Sequence, residues 1–266
     1  MGRTMRKLIT FACGGETLVG SLDTAAGATG LLIVSGGNEP RMGAHRGMAL
    51  LAARVAAAGW PVFRFDRRGV GDSSGDDGGW ASSAPDIAAA TAAFRREAPH
   101  VRRLVGFGNC DAATALALFG AARVDALVLA NPWVVEPRGD LPPPAAIRAR
   151  YADRARNPRE WWRLLRGEVD LVKLISGLRA IAVPVREQPI ARRFAAALRG
   201  REAMVVLARG DATAIAYADA VRGLGVEASV VWVETDSHSF ARIGDAEALE
   251  RAITSVLNSS EGPSRK

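Results

Sequence analysis

A nucleophile, an orienting acid and a general base stand along this chain in the order Cys110, Asp211 and His238. Cys110 lies in Gly108-Asn109-Cys110-Asp111-Ala112, between a segment that reads as a strand and one that reads as a helix. Small residues two before and two after the cysteine suit a sharp strand-to-helix turn, because the chain there passes close to its neighbours. A cysteine at that turn sits at a helix N-terminus, where the positive end of the dipole favours a thiolate. The plainer fate of a lone cysteine is a buried structural role. His238 lies in Thr235-Asp236-Ser237-His238-Ser239-Phe240, after the last expected strand and before the last expected helix. The other histidines are His45, opening an early helix, and His100, ahead of the strand that leads to Cys110. Neither falls after the nucleophile, so His238 is the candidate base. Asp211, in Arg209-Gly210-Asp211-Ala212, follows the preceding strand. A carboxylate there can hold the imidazole and stabilise its charged form, or it can cap the helix that follows. Asp236 is the rival, but at two residues from His238 it is poorly placed to reach the far side of the ring.

Attack on a carbonyl needs two backbone N–H groups aimed at the developing charge. One is expected from Asp111. The other is expected from Ser35-Gly36-Gly37-Asn38, Gly37 before Asn38, since glycine lets the backbone approach an acyl group closely. Glu39 and Arg41, in the same loop, are candidate contacts for a polar or anionic part of a substrate; a surface ion pair is the simpler account of both. The stretch from Asp66 to Ser73 lacks the Lys-Ser/Thr ending of a phosphate-binding loop and the spacing of a dinucleotide fingerprint. It reads as a structural loop packed under the site. The chemistry calls for no metal and no organic cofactor, and the two cysteines form no CxxC pair or disulfide framework.

The elements that must position these groups alternate between strand and helix. Strands are expected at Leu8–Cys13, Thr17–Leu22, Leu31–Val34, Pro61–Phe65, Leu104–Val105, Ala126–Ala130, Ala203–Ala208 and Ala228–Val233. Helices are expected at Ala44–Ala58, closed by Gly59, at Pro85–Glu97, Asp111–Phe119, Ala212–Arg222 and Ala246–Leu257. The pattern predicts an α/β fold: a mostly parallel eight-stranded sheet with an antiparallel second strand and helices on both faces. Residues 136–200 break the rhythm with Pro142, Pro143, Pro144, many arginines and the pair Trp161-Trp162. They are expected to form a helical lid, with Trp161 or Trp162 lining an apolar acyl pocket. The core is then 1–135 and 201–257, with a polar, disordered tail at 258–266.

Composition narrows the classes. Apolar residues make up 48%, ordinary for a globular chain, and no apolar run reaches the ~18 residues of a membrane span. The apolar stretch after the basic start is too short for a secretory signal, so a cytoplasmic location is expected. The net charge of +7 is spread over helix-like segments without a nucleic-acid motif, and reads as a solvated surface.

Four segments together resemble a known family: SGGNEPR (35–41), RFDRRGVGDSSG (64–75), GNCDAA (108–113) and DSHSF (236–240). They are similar to the serine-aminopeptidase-like branch of the α/β-hydrolases, and more narrowly to the type 1 hydrolase family associated with the bacterial exosortase A system. The resemblance covers nearly the whole chain. It implies an α/β-hydrolase fold and a setting in exopolysaccharide production and protein sorting; it implies no substrate. The wider branch mostly carries serine at the elbow, so Cys110 departs from it. The expected activity is hydrolysis or transfer of an acyl group held as an ester or thioester on a small molecule or a carrier. The competing expectation is a catalytically silent scaffold that binds a ligand or partner.

Overall fold

In the computed structural model, residues 5–136 and 188–259 are described. Eight strands form one sheet: β1 (Arg6–Cys13), β2 (Glu16–Asp23), β3 (Thr29–Val34), β4 (Val62–Phe65), β5 (Arg103–Asn109), β6 (Ala126–Ala130), β7 (Glu202–Ala208) and β8 (Ser229–Val233). Their order is β1-β2-β4-β3-β5-β6-β7-β8. The β1–β2 and β2–β4 pairings are antiparallel, and every other pairing is parallel.

Burial explains the strand sequences. β3 and β6 are covered on both faces, and Leu31, Leu32, Ile33, Leu127, Val128 and Leu129 are all essentially fully buried. An unbroken apolar run is what such a position demands. β1 is an edge strand with its first residues exposed, Leu8 among them. On one face lie α1 (Gly47–Ala57) and α6 (Asp245–Asn258), packed on Ile33, Phe107 and Val206. On the other lie α2 (Ala84–Glu97), α3 (Asp111–Ala115), α4 (Pro189–Ala197) and α5 (Ala212–Ala220). Among the described residues no helix is long and apolar enough to cross a membrane.

Several boundaries differ from the sequence expectation. β5 runs on through Gly106 to Asn109, because those glycines are packing positions rather than a loop. A Cβ at Gly106 would lie 2.9 Å from Leu116, and one at Gly108 2.8 Å from the backbone of Ala112. The early helix starts at Gly47: Ala44–Arg46 form a 3₁₀ turn in which His45 and Arg46 have φ of 51° and 61°. The helix after Cys110 widens into a π-helical turn over Leu116–Gly120, a distortion frequent near functional sites.

Most of the segment expected as a lid, with Trp161 and Trp162, lies outside the described residues, as does the tail beyond Ser259. Asn258, expected in that tail, ends α6 instead. The last part of the expected lid is α4. Its Ile190, Ala191 and Phe194 are buried in the core, Phe194 edge-on to Tyr217 with ring centroids 5.5 Å apart. This stretch is therefore part of the helical layer on the sheet.

Candidate active site

The site is built at the carboxyl ends of β3, β5, β7 and β8. Cys110 occupies the turn between β5 and α3 with φ 61° and ψ −126°, a conformation that costs a non-glycine residue roughly 1–3 kcal/mol. Its surroundings hold it there. Cys110 N–H donates to Ala130 O (3.0 Å), and its own carbonyl accepts from Trp133 N–H (3.1 Å), so the end of β6 clamps both sides of the residue. The strand arrives and the helix leaves so close together that position 108 admits only glycine. The thiol is thus carried on the rim of the sheet, partly exposed.

His238 faces Cys110 from the loop after β8. Its Nδ1 lies 3.0 Å from Asp211 Oδ1, which leaves Nε2 free on the other side of the ring. The histidine is pushed up to about 10, first by the hydrogen bond to Asp211, then by the neighbouring Cys110 thiol, with burial opposing both. Asp211 performs both jobs its sequence position allowed. While Oδ1 holds the imidazole, Oδ2 accepts from Ala214 N–H (3.0 Å) and caps α5. The rival Asp236 is turned away, paired with Arg242 at 2.6 Å.

Two asparagines that sequence reasoning passed over fix the histidine loop. Asn109 and Asn131 each donate Nδ2–H to the His238 carbonyl at 3.1 Å. Asn131, fully buried with φ 40°, also accepts from Ala208 N–H (2.8 Å), tying β6, β7 and the His238 loop together. Its position just before Pro132 at a strand end was the available signal; its partners were not visible in sequence. Further along the loop, Thr235 donates to Asp245 (2.6 Å) and accepts from Ser237 N–H (3.0 Å).

A cavity opens beside Cys110 and His238, lined by Val34, Phe107, Ala44 and Met48 on its apolar side and by Ser35, Glu39 and Ser239 among its polar groups. Of the residues expected to bind substrate, Glu39 lines it. Arg41 does not. Its guanidinium bonds Ser21 (3.0 Å), Asp66 and Asp72 (2.9 Å), because the fully buried Asp66 carboxylate needs a cation. The loop 66–73 is thereby a structural support, with Asp66 also accepting from Asp72 N–H at 3.1 Å.

The expected oxyanion donor from the β3 loop also needs correction. Gly37 N–H is already engaged by the Asp111 carboxylate, at 2.9 and 3.0 Å. The side chain of the residue after Cys110 reaches back across the turn, and position 36 must lack a Cβ for it to fit. Asn38 is exposed, and its N–H has no acceptor among the described residues. Asp111 N–H, at the first turn of α3, has no carbonyl of its own helix to meet.

No protein-family model matches this sequence, and no curated protein matches it. Solved structures do. The α/β-hydrolase GrgF of Penicillium sp. sh18 superposes with a TM-score of 0.66 at 18% identity, over 95% of this chain and 98% of its own. The fold is that of the α/β-hydrolases. An esterase of Pyrococcus furiosus follows at 0.62 and 15% identity, over 94% of this chain and 89% of its own. A thioesterase domain from the curacin biosynthetic pathway matches at 0.58 and 14% identity, over 95% of this chain and 99% of its own. In open sheets of the α/β-hydrolase kind, ligands bind outside the carboxyl ends of the strands, and here that edge carries Cys110, Asp211 and His238.

Proposed function

We propose that this chain is an acyl ester or thioester hydrolase or acyltransferase that works through an acyl-thioenzyme on Cys110. One observation carries the reading: Asp211 holds His238 by Nδ1, and His238 and Cys110 line the same cavity side by side. His238, pushed up to about 10, already carries the proton, so Cys110 reacts as the thiolate of an ion pair: Sγ bonds to the substrate carbonyl carbon and the carbonyl π pair moves to oxygen, forming a tetrahedral oxyanion. Asp111 N–H and an N–H of the β3 loop stabilise it. Collapse breaks the bond to the alcohol or thiol leaving group, which takes the proton from His238. Water, or an acceptor hydroxyl, thiol or amine, then gives a proton to His238 and attacks the thioester, which expels the Cys110 thiolate and restores the ion pair with His238. Glu39 at the cavity wall is a contact for a polar part of the substrate, while Val34, Phe107, Ala44 and Met48 take its apolar part. An esterase and a thioesterase domain among the structural neighbours support ester or thioester chemistry at this coarse level. The sequence resemblance adds a setting in exosortase and exopolysaccharide systems.

The test is peptide-level mass spectrometry after brief, sub-stoichiometric labelling with iodoacetamide, beside intact-mass detection of adducts from a panel of acyl esters, thioesters and amides. Cys110 is expected to label first. Cys13 is buried and donates to Asp86 at 3.3 Å; burial, then that bond, push its thiol up to about 11. Full turnover by Cys110→Ala would remove Cys110 as the nucleophile, whereas faster labelling of Cys13 together with no adduct from any member of the panel would leave the second reading, a silent scaffold. One observation favours that alternative: the engagement of Gly37 N–H by a carboxylate, which removes one expected oxyanion donor.

A further inference from the structure

The β3 loop is gripped by opposite charges on its two sides. Gly37 N–H donates to both oxygens of Asp111, and Gly37 O accepts from the Arg67 guanidinium. Arg67 is buried and anchored by Ser83 Oγ at 3.1 Å, on the α2 face of the sheet. Position 36 is shaped for this contact, since a Cβ there would lie 2.4 Å from Asp111 Oδ1 and 2.9 Å from Asn109 O. Gly37 itself has φ 50°. The Gly37–Asn38 peptide is trans, so its N–H points opposite to its carbonyl. With the carbonyl drawn to Arg67, Asn38 N–H is directed away from that guanidinium. Gly36, Gly37 and Glu39, on either side of Asn38, line the cavity beside Cys110.

We propose that Asp111 is a positioning residue: its carboxylate takes up Gly37 N–H, fixes the β3 loop on the nucleophile elbow, and hands the second oxyanion contact to Asn38 N–H. The inference rests on the acyl-transfer reading above. Asp111 acts twice within one residue, its backbone N–H toward the oxyanion and its side chain toward the loop that supplies the partner donor. What the loop requires of the side chain is an acceptor; a neutral amide oxygen can serve. A full negative charge beside a forming oxyanion opposes it, so the amide should be no worse for catalysis than the acid.

The experiment compares two reactions of Cys110 in the full chain. Alkylation by iodoacetamide is a displacement at carbon with no oxyanion, whereas acylation by p-nitrophenyl acetate passes through one. Asp111→Ala should alkylate within about twofold of wild type and acylate at least about tenfold more slowly, the loss expected when an oxyanion donor is misplaced. Asp111→Asn should restore acylation to within a few-fold of wild type. Acylation by Asp111→Ala at the wild-type rate overturns the proposal, and so does a parallel fall in both reactions, which would mark a general disturbance of the elbow. Failure of Asp111→Asn to rescue, with circular dichroism unchanged, also overturns it. Wild-type protein that alkylates at Cys110 but is never acylated there overturns the acyl-transfer reading, and this inference with it.

Discussion

At the scale of single residues, two carboxylates near His238 compete for one role, and geometry separates them. Asp211 touches Nδ1, whereas Asp236 bonds Arg242. Asp211→Asn should lower turnover by orders of magnitude with the protein still folded, since the imidazole loses its orienting acceptor. Asp236→Asn should leave turnover within about twofold, because surface ion pairs contribute little; equal losses in the two variants would undo the assignment. The charge on His238 has its own signature. Its folded value, about 10, lies above the ordinary 6.5, so the protonated form favours folding. That contribution is complete below about pH 6.5 and is lost as the pH rises through about 10. Urea unfolding of wild type and His238→Gln should therefore converge across that window. Asp211→Asn should move the His238 resonance midpoint, followed by NMR, to lower pH, since the largest cause of the upward shift is removed. The three reactive types and their chain order were legible in sequence. The engagement of Gly37 N–H was not, because nothing in the letters Gly-Asn-Cys-Asp says that the aspartate turns back toward a loop 74 residues earlier.

At the scale of elements, the elbow and the strand ends set the precision of the site. Gly108→Ala would place a methyl 2.8 Å from the Ala112 backbone, and a backbone atom cannot give way as a side-chain tip can. A stability loss of about 1–3 kcal/mol is expected, with slower alkylation of Cys110, readable by urea titration and timed labelling. Asn131→Ala should cost a similar amount, about 1–3 kcal/mol. It removes the acceptor of a buried Ala208 N–H and a donor to His238 O, and should lower turnover by loosening the histidine loop. Unchanged unfolding would show that water or Asn109 takes over both contacts. Strand and helix identities followed from apolar runs, Gly59 and Pro85. The extent of β5 did not, because glycine in sequence marks a turn as readily as a close approach, and only the position of Leu116 and Ala112 tells which.

Across the whole molecule, a buried charge network joins the antiparallel edge of the sheet to the loops under the site. Arg41 pairs with Asp66 and Asp72, while Arg64, fully buried, donates to Arg41 O (2.8 Å) and lies 3.4 Å from Asp23, which also holds Arg6 at 2.7 Å. Burial lowers the Arg64 guanidinium from its ordinary value, with Asp23 resisting. Arg41→Ala should therefore act on stability, by about 3 kcal/mol, through the unpaired Asp66. It should leave KM for p-nitrophenyl acetate unchanged; a raised KM with normal stability would restore Arg41 to the substrate site.

The sequence by itself determined the alternation of elements, the eight-stranded sheet, and the order Cys110, Asp211, His238. Those features are written in local periodicity and in short-range steric needs, which neighbouring residues express without help from distant ones. Only the tertiary structure decided between Asp211 and Asp236, withdrew Arg41 from the cavity, revealed Asn109 and Asn131 behind His238, and turned Asp111 toward Gly37. Each of these is the choice of one acceptor among several within reach. Such a choice is fixed by distances of a few tenths of an ångström between segments far apart in the chain, a quantity that residue type and spacing do not encode.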